Sequence, residues 1–313
     1  MIEGLRQAKL TAGELQEHKD RLNEAVSEYT SVGALVADPK FLFQMAQLVR
    51  QIAVDQFDLT DPTPLFVNRA SAELGETLEL EETVNTMKAV RRHPGSHPLA
   101  FTPTKRKFPI TTVQYDLPFA IDLEKIIRGQ LDASVFADHA AEALSRVFVE
   151  TTVAAIDAAA TGNDYYGRAQ SSSVATNIDL ATLDAAIRTL GDVNSDLFIA
   201  GRYHTLFPML GFAGYADVAL EELRATGMVG TYKGAKVIIL RDDFNFFYGT
   251  ASIPADKIYL GGGRKGAWLH ERDVSALEYQ SLDTERAWLK TGFRLDFDVT
   301  VLQPYRYHVI TIT

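Results

Sequence analysis

Residues 132–160 hold a single apolar face, and that pattern constrains the fold more than any other stretch of the chain. Val135, Phe136, Ala140, Leu144, Val147, Phe148, Thr151, Ala155 and Ala158 recur at helical spacing, so they line one side of a helix. Thr161, Gly162 and Asn163 end it. At ~1.5 Å per residue the helix runs ~40 Å, long for a globular domain. Such a rod needs an extended surface to lie on, and the second half of the sequence is rich in strand patterns. They fall at 197–200, at 229–240 as a hairpin turning at Tyr232-Lys233-Gly234, and at 267–270, 275–279, 292–302 and 307–312. Short helices are predicted at 180–190, closed by Gly191, and at 217–224. Helices and strands do not alternate regularly, so the fold class is α+β and not a doubly wound sheet.

Two helices come first. Thr11-Ala12-Gly13-Glu14 has the form of a capping box. Behind it Ala12, Leu15, Leu22, Val26 and Tyr29 make a narrow apolar stripe with Lys19 as its polar break. Asp38-Pro39 opens a second helix, whose apolar face is Phe41, Met45, Leu48, Val49 and Ile52. Strand-like sequence follows from Leu65, and 108–117 reads as a further strand around Ile110-Thr111-Thr112-Val113-Gln114-Tyr115.

Within that strand-like region charge is segregated. Glu73, Glu76, Glu79, Glu81 and Glu82 fall together with no base among them. Lys88, Arg91, Arg92, Lys105, Arg106 and Lys107 follow with no acid among them, in a window that also holds Pro94, Gly95, Pro98 and Pro103. These residues predict a long two-stranded excursion with a basic, proline-stiffened tip. Subtracting the window's six positive charges from the net −10 leaves −16 on the rest of the chain. A positive arm on a negative body suits the acidic surface of another copy, a head-to-tail contact of the kind that builds rings and closed shells. Arg91, Arg92, Lys105, Arg106 and Lys107 are the candidate contact residues, and Glu73, Glu76, Glu79, Glu81 and Glu82 the candidate acidic counter-surface. The blander readings are a solvated tip or one that touches nucleic acid. The negative net charge argues against coating nucleic acid through a global positive field.

Other chemistry finds little support. The chain has no cysteine, which excludes disulfides, thiolate metal sites and thiol catalysis. Gly261-Gly262-Gly263-Arg264-Lys265-Gly266 matches a dinucleotide fingerprint after a strand, but Ala267-Trp268-Leu269-His270 reads as another strand where a helix is needed. A phosphate-binding enzyme built on 261–266 therefore stands as the reading from another class, behind a plain strand-to-strand turn. His93 and His97 are spaced for a metal, but Pro94, Gly95 and Pro98 forbid the helix that would preform the site. No serine-hydrolase elbow occurs, and Asp242-Asp243 reads as a solvated strand end. The expectation is no catalytic residue, no cofactor, no metal and no membrane span.

The order of elements resembles the Hong Kong 97-type coat fold of tailed phages, and local sequence is similar too. Asp196-Leu197-Phe198-Ile199-Ala200 with Arg202-Tyr203-His204-Thr205-Leu206 resembles that family's strand-then-helix segment. Gly230-Thr231-Tyr232-Lys233-Gly234-Ala235-Lys236-Val237-Ile238 is similar to its hairpin, and Ile253-Pro254-Ala255-Asp256-Lys257-Ile258-Tyr259-Leu260-Gly261 to the strand after it. The resemblance implies an N-terminal arm at 1–60 and a peripheral domain at 61–160, with an extended loop at 84–115 and a spine helix at 132–160. An axial domain follows at 161–282, and strands at 283–313 return to the peripheral domain. It also implies a major capsid protein of the virion that meets its own copies in hexamers and pentamers, assembles in the host cytoplasm and encloses DNA without reading its sequence. A separate scaffold protein, a portal and a decoration protein are the other partners implied. Encapsulins, bacterial shells of the same fold, are the alternative within it.

Overall fold

In the computed structural model the described residues are 12–27, 38–60, 63–72, 79–84, 104–128, 130, 132–160, 170–175, 177–211, 228–240, 253–263, 266–272, 280–283 and 288–313. In chain order they form α1 (Ala12–Ser27), α2 (Pro39–Thr60), the one-turn α3 (Thr63–Phe66), β1 (Asn68–Ala72), β2 (Glu79–Val84), β3 (Thr104–Pro109) and β4 (Val113–Asp122). Next come α4 (Leu123–Ile127), α5 (Ala133–Ala159), β5 (Ser171–Val174), α6 (Leu180–Gly191), β6 (Phe198–Gly201) and α7 (Tyr203–Leu206). After a 3-10 turn at Phe207–Gly211 come β7 (Met228–Tyr232), β8 (Ala235–Ile239), β9 (Lys257–Gly261), β10 (Ala267–Arg272), β11 (Gln280–Asp283) and β12 (Trp288–Val301), then a second 3-10 turn at Pro304–Arg306 and β13 (His308–Ile312).

The long helix forms where its apolar spacing places it. Asp132 and Ala160 flank it as its end residues, and α1 and α2 pack along it. Leu15, Leu22 and Val26 of α1 are buried. Lys19, the break in that stripe, reaches Asp138 of α5 with Nζ 2.5 Å from Oδ1. An apolar stripe one residue short is thus closed by a half-buried ion pair. The Asp38 carboxylate accepts a hydrogen bond from the Phe41 amide (3.1 Å) at the start of α2, the expected cap.

Under α5 lies a five-stranded sheet, β1-β10-β12-β11, with β4 along the other side of β12. Phe148 of α5 stacks on Phe297 of β12 at 4.2 Å between centroids and 8° between planes. Tyr115 of β4 also stacks on Phe297, at 4.8 Å between centroids. The second sheet runs β5-β13-β9-β6-β8-β7, parallel at β5–β13 and β6–β8. Alternation along its central strands sends side chains into two cores. Phe198, Ala200, Tyr259 and Val309 face the core shared with α5, while Ile199, Ile258, Leu260 and Ile310 face α6 with its Leu183, Ile187 and Leu190. A strand buried on both faces has a continuous apolar run, which is why β6 shows no alternation. The β7–β8 turn sits at Lys233 (φ 47°) and Gly234 (φ 85°), the two positive φ values a type I′ hairpin requires.

Several sequence expectations shift. The strand predicted from Leu65 starts later, because α3 intervenes before β1. The strand predicted at 108–117 is broken at residues 110–112: among the described residues β3 pairs with β2, whereas β4 joins the large sheet beside β12. Gly191 is the last residue of α6 and not its stop, with Asp192 as C-cap. β12 begins four residues before the predicted 292, and β5, with the polar sequence Ser-Ser-Ser-Val, gave no strand signal. β10 and β11, from the segment assigned to an axial domain, pair in the five-stranded sheet. β13, assigned to the returning strands, pairs in the six-stranded one. Hydrogen bonding ignores chain order, so neighbouring stretches of the chain are divided between the two sheets. The predicted helix at 217–224 and strand at 275–279 lie outside the described residues.

Candidate assembly surfaces

β2 and β3 form a two-stranded sheet of their own. Its register sets Glu81 opposite Lys107, Glu82 opposite Arg106 and Thr83 opposite Lys105. The Lys107 ammonium lies 2.7 Å from the diagonal Glu79 carboxylate, both side chains exposed. Opposite charges facing one another across a strand pair each contribute about 0.2–1 kcal/mol, less in salt because they are solvated. The acidic segment and the basic segment therefore meet first within one chain. Of the candidate contact residues, Lys105, Arg106 and Lys107 lie on β3. Arg91 and Arg92 lie outside the described residues, as do Glu73 and Glu76, while Glu79, Glu81 and Glu82 lie on β2.

A second surface was not anticipated. Tyr203 and Phe207 are 50% and 54% exposed, with ring centroids 5.6 Å apart. They stand at the start and just past the end of α7, on the six-stranded side of the molecule. Their signal in the sequence was weak, since two aromatics four apart on one turn look like an ordinary core face.

The glycine-rich segment joins the two sheets. β9 ends in one at Gly261 and β10 begins in the other at Ala267, so a strand follows where a phosphate site needs a helix. Three of the glycines are required by crowding. A Cβ on Gly261 would stand 2.6 Å from the Phe198 ring, one on Gly262 2.4 Å from the Asn194 Cβ, and one on Gly266 2.3 Å from the Gln303 carbonyl oxygen. The Gly266 carbonyl accepts from the Leu302 and Gln303 amides, both 2.9 Å. Its amide donates to the Tyr307 hydroxyl at 3.1 Å, which in turn donates to the Phe66 carbonyl at 2.5 Å. Burial pushes the Tyr307 phenol up to about 12, so it stays a donor. The crossing from β9 to β10 and the crossing from β12 to β13 are thus clasped together.

His270 of β10 is 1% exposed and lies opposite Asp298 of β12 and Ala70 of β1. Neither of its ring nitrogens has a hydrogen-bond partner among the described residues. Burial lowers its pKa, the Asp298 charge opposing only in part. The unfolded chain then binds the proton first, so stability is lost as pH falls below the ordinary value of ~6.5. We expect His270→Leu to flatten the acid limb of stability against pH by up to ~1.4 kcal/mol per pH unit. Denaturant titrations between pH 5 and pH 8 check it, and parallel curves for the two proteins would refute it.

Among the described residues no cluster of three or more potential metal ligands occurs, and no helix is long and apolar enough to cross a membrane. His93, His97 and Asp242-Asp243 lie outside the described residues.

No curated protein matches the chain in sequence. Solved structures do match in fold. A chain of Gordonia phage Cozz superposes with TM-score 0.56 at 13% identity, over 80% of this chain and 85% of that one. The mature capsid of bacteriophage PhiM1 gives 0.53 at 14% identity, over 79% and 85%. A virus-like particle from Pyrococcus furiosus gives 0.50 at 10% identity, over 84% and 98%. At such identities the likeness is one of fold. The family described as "SPbeta prophage-derived putative capsid protein YonB" matches residues 4–310. A match over nearly the whole length, on a fold shared with phage capsids, means that the chain belongs to the YonB family of capsid proteins.

Proposed function

We propose that the chain is the major capsid protein of a tailed phage, a coat subunit that works by assembling with its own copies into an icosahedral head around DNA. The family match over residues 4–310 carries the reading. In it, the β2–β3 hairpin and residues 85–103 form the arm that lies over a neighbouring subunit. The helix α5 is the spine, and the six-stranded sheet with α6 and α7 is the part that meets its copies around five- and six-fold axes. Tyr203 and Phe207 belong to that meeting surface: exposed aromatics are costly in a lone subunit and favourable between two. A scaffold protein made separately, a portal and a decoration protein complete the head. The subunit itself needs no cofactor and performs no catalysis.

Electron microscopy of the purified chain tests this directly: closed shells are expected, and a compact monomer at high concentration would overturn it. Particle contents separate a phage head, filled with DNA, from an encapsulin-type shell holding a cargo enzyme. For the arm, Arg91→Glu with Arg92→Glu is the informative variant, because it leaves the Lys107–Glu79 pair between β3 and β2 intact. We expect subunits with an unchanged melting temperature and at least tenfold fewer shells by light scattering, since like charge across an interface slows association and costs affinity. Shells in normal yield would refute the contact.

A further inference from the structure

The arm meets the body at one described joint. β3 ends at Pro109 and β4 begins at Val113, so residues 110–112 alone set the angle between the hairpin and the large sheet on that side. A two-stranded hairpin is only marginally stable in water, and the exposed Lys107–Glu79 pair holds its two strands together without aiming them. Something at the root has to hold its direction. Ile110 is 9% exposed, and Phe108 from β3, Trp268 from β10 and Leu302 from just past β12 pack against it as a small apolar cluster apart from the two main cores. Two of the four residues stand on rigid ground. Leu302 donates its amide to the Gly266 carbonyl, and Trp268 lies two residues beyond Gly266, opposite Thr300 of β12 and Asn68 of β1.

We propose that Ile110, Phe108, Trp268 and Leu302 form a seat that fixes the angle of the β2–β3 arm on the five-stranded sheet, and that Trp268 is thereby a positioning residue for subunit assembly. The assembly half of this rests on the capsid reading above; the seat itself does not. Leverage makes the seat matter. A six-residue strand spans ~20 Å, so a 15° swing at the root moves its far end by ~5 Å, enough to miss a contact set by shape. A held arm also arrives at a neighbour with little freedom left to lose. Because the seat stands on the clasped crossings between the two sheets, a change in the angle between those sheets is passed to the arm.

The absence of cysteine allows a direct test. Thr83→Cys on the arm and Lys290→Cys on the body take spin labels, and the distance between them is read on soluble subunits. In the parent chain the distribution is expected to be narrow. Trp268→Ala should broaden it and slow shell formation at least tenfold, and Trp268→Phe should restore both. Phe108→Ala supplies the same test from the arm side should Trp268→Ala fail to fold. An unchanged distribution in both alanine variants overturns the seat, whatever the particles do. A broadened distribution with shells forming at the parental rate overturns the positioning role, while failure of the parent chain to form shells counts against the capsid reading alone.

Discussion

Phe297→Ala is expected to lower the free energy of unfolding by about 3–5 kcal/mol, the largest loss from any single truncation proposed for this chain. Phe297 is 1% exposed and holds two elements at once. Phe148 of α5 stacks on its ring at 4.2 Å, and Tyr115 of β4 stacks on it at 4.8 Å. Truncation removes apolar burial, leaves a void between helix and sheet, and ends two ring contacts worth about 0.5–1.5 kcal/mol each beyond area. Neither neighbour can collapse into the space, since α5 is pinned along its length by α1 and α2, and β4 by its ten-residue pairing with β12. Breaking the exposed Arg294–Asp116 pair on the same two strands should cost no more than about 1 kcal/mol. Guanidinium denaturation of the two variants checks the contrast. Equal losses would mean that α5 does not depend on this ring for its place on the sheet.

Gly266→Ala is expected to cost about 3 kcal/mol even though it adds only a methyl group. The new Cβ would meet the Gln303 carbonyl oxygen at 2.3 Å and the Gln303 Cβ at 2.8 Å. That carbonyl belongs to backbone held by the Leu302 and Gln303 amides on Gly266 itself, so relief means opening the clasp. Gly263→Ala in the same segment should change stability by less than about 1 kcal/mol, because its nearest neighbour is the Asp196 side chain at 3.3 Å. Gly191→Ala, with nothing within 4 Å, should be neutral or stabilising by about 0.5–1 kcal/mol, since it ends a helix. Thermal unfolding of the three variants gives the order. A tolerated Gly266→Ala alongside a disruptive Gly263→Ala would indicate that the segment acts as a ligand loop and not as a packed crossing.

The sequence made the three longest helices legible because each carried its own local evidence: the stripe broken at Lys19, the cap at Asp38 and the long face ending near Ala160. The β7–β8 hairpin was equally plain, since Lys233-Gly234 needs positive φ. Strand partners were not. Nothing local says that Val113–Asp122 belongs with β12 while Thr104–Pro109 belongs with β2, because pairing depends on residues far away in the chain. The charge segregation was visible, but which glutamate faces which base is a matter of register. The seat under the arm left no trace at all. Phe108, Ile110, Trp268 and Leu302 come from three separate stretches, and none stands out among its neighbours.

The six-stranded sheet is a shared wall. Tyr259 looks into one room, and Ile258 and Leu260 into the other, so water admitted on either side undermines the same backbone. The two halves of the molecule are therefore expected to melt together: a shell built from such bricks would flex at its joints, while each brick would break whole.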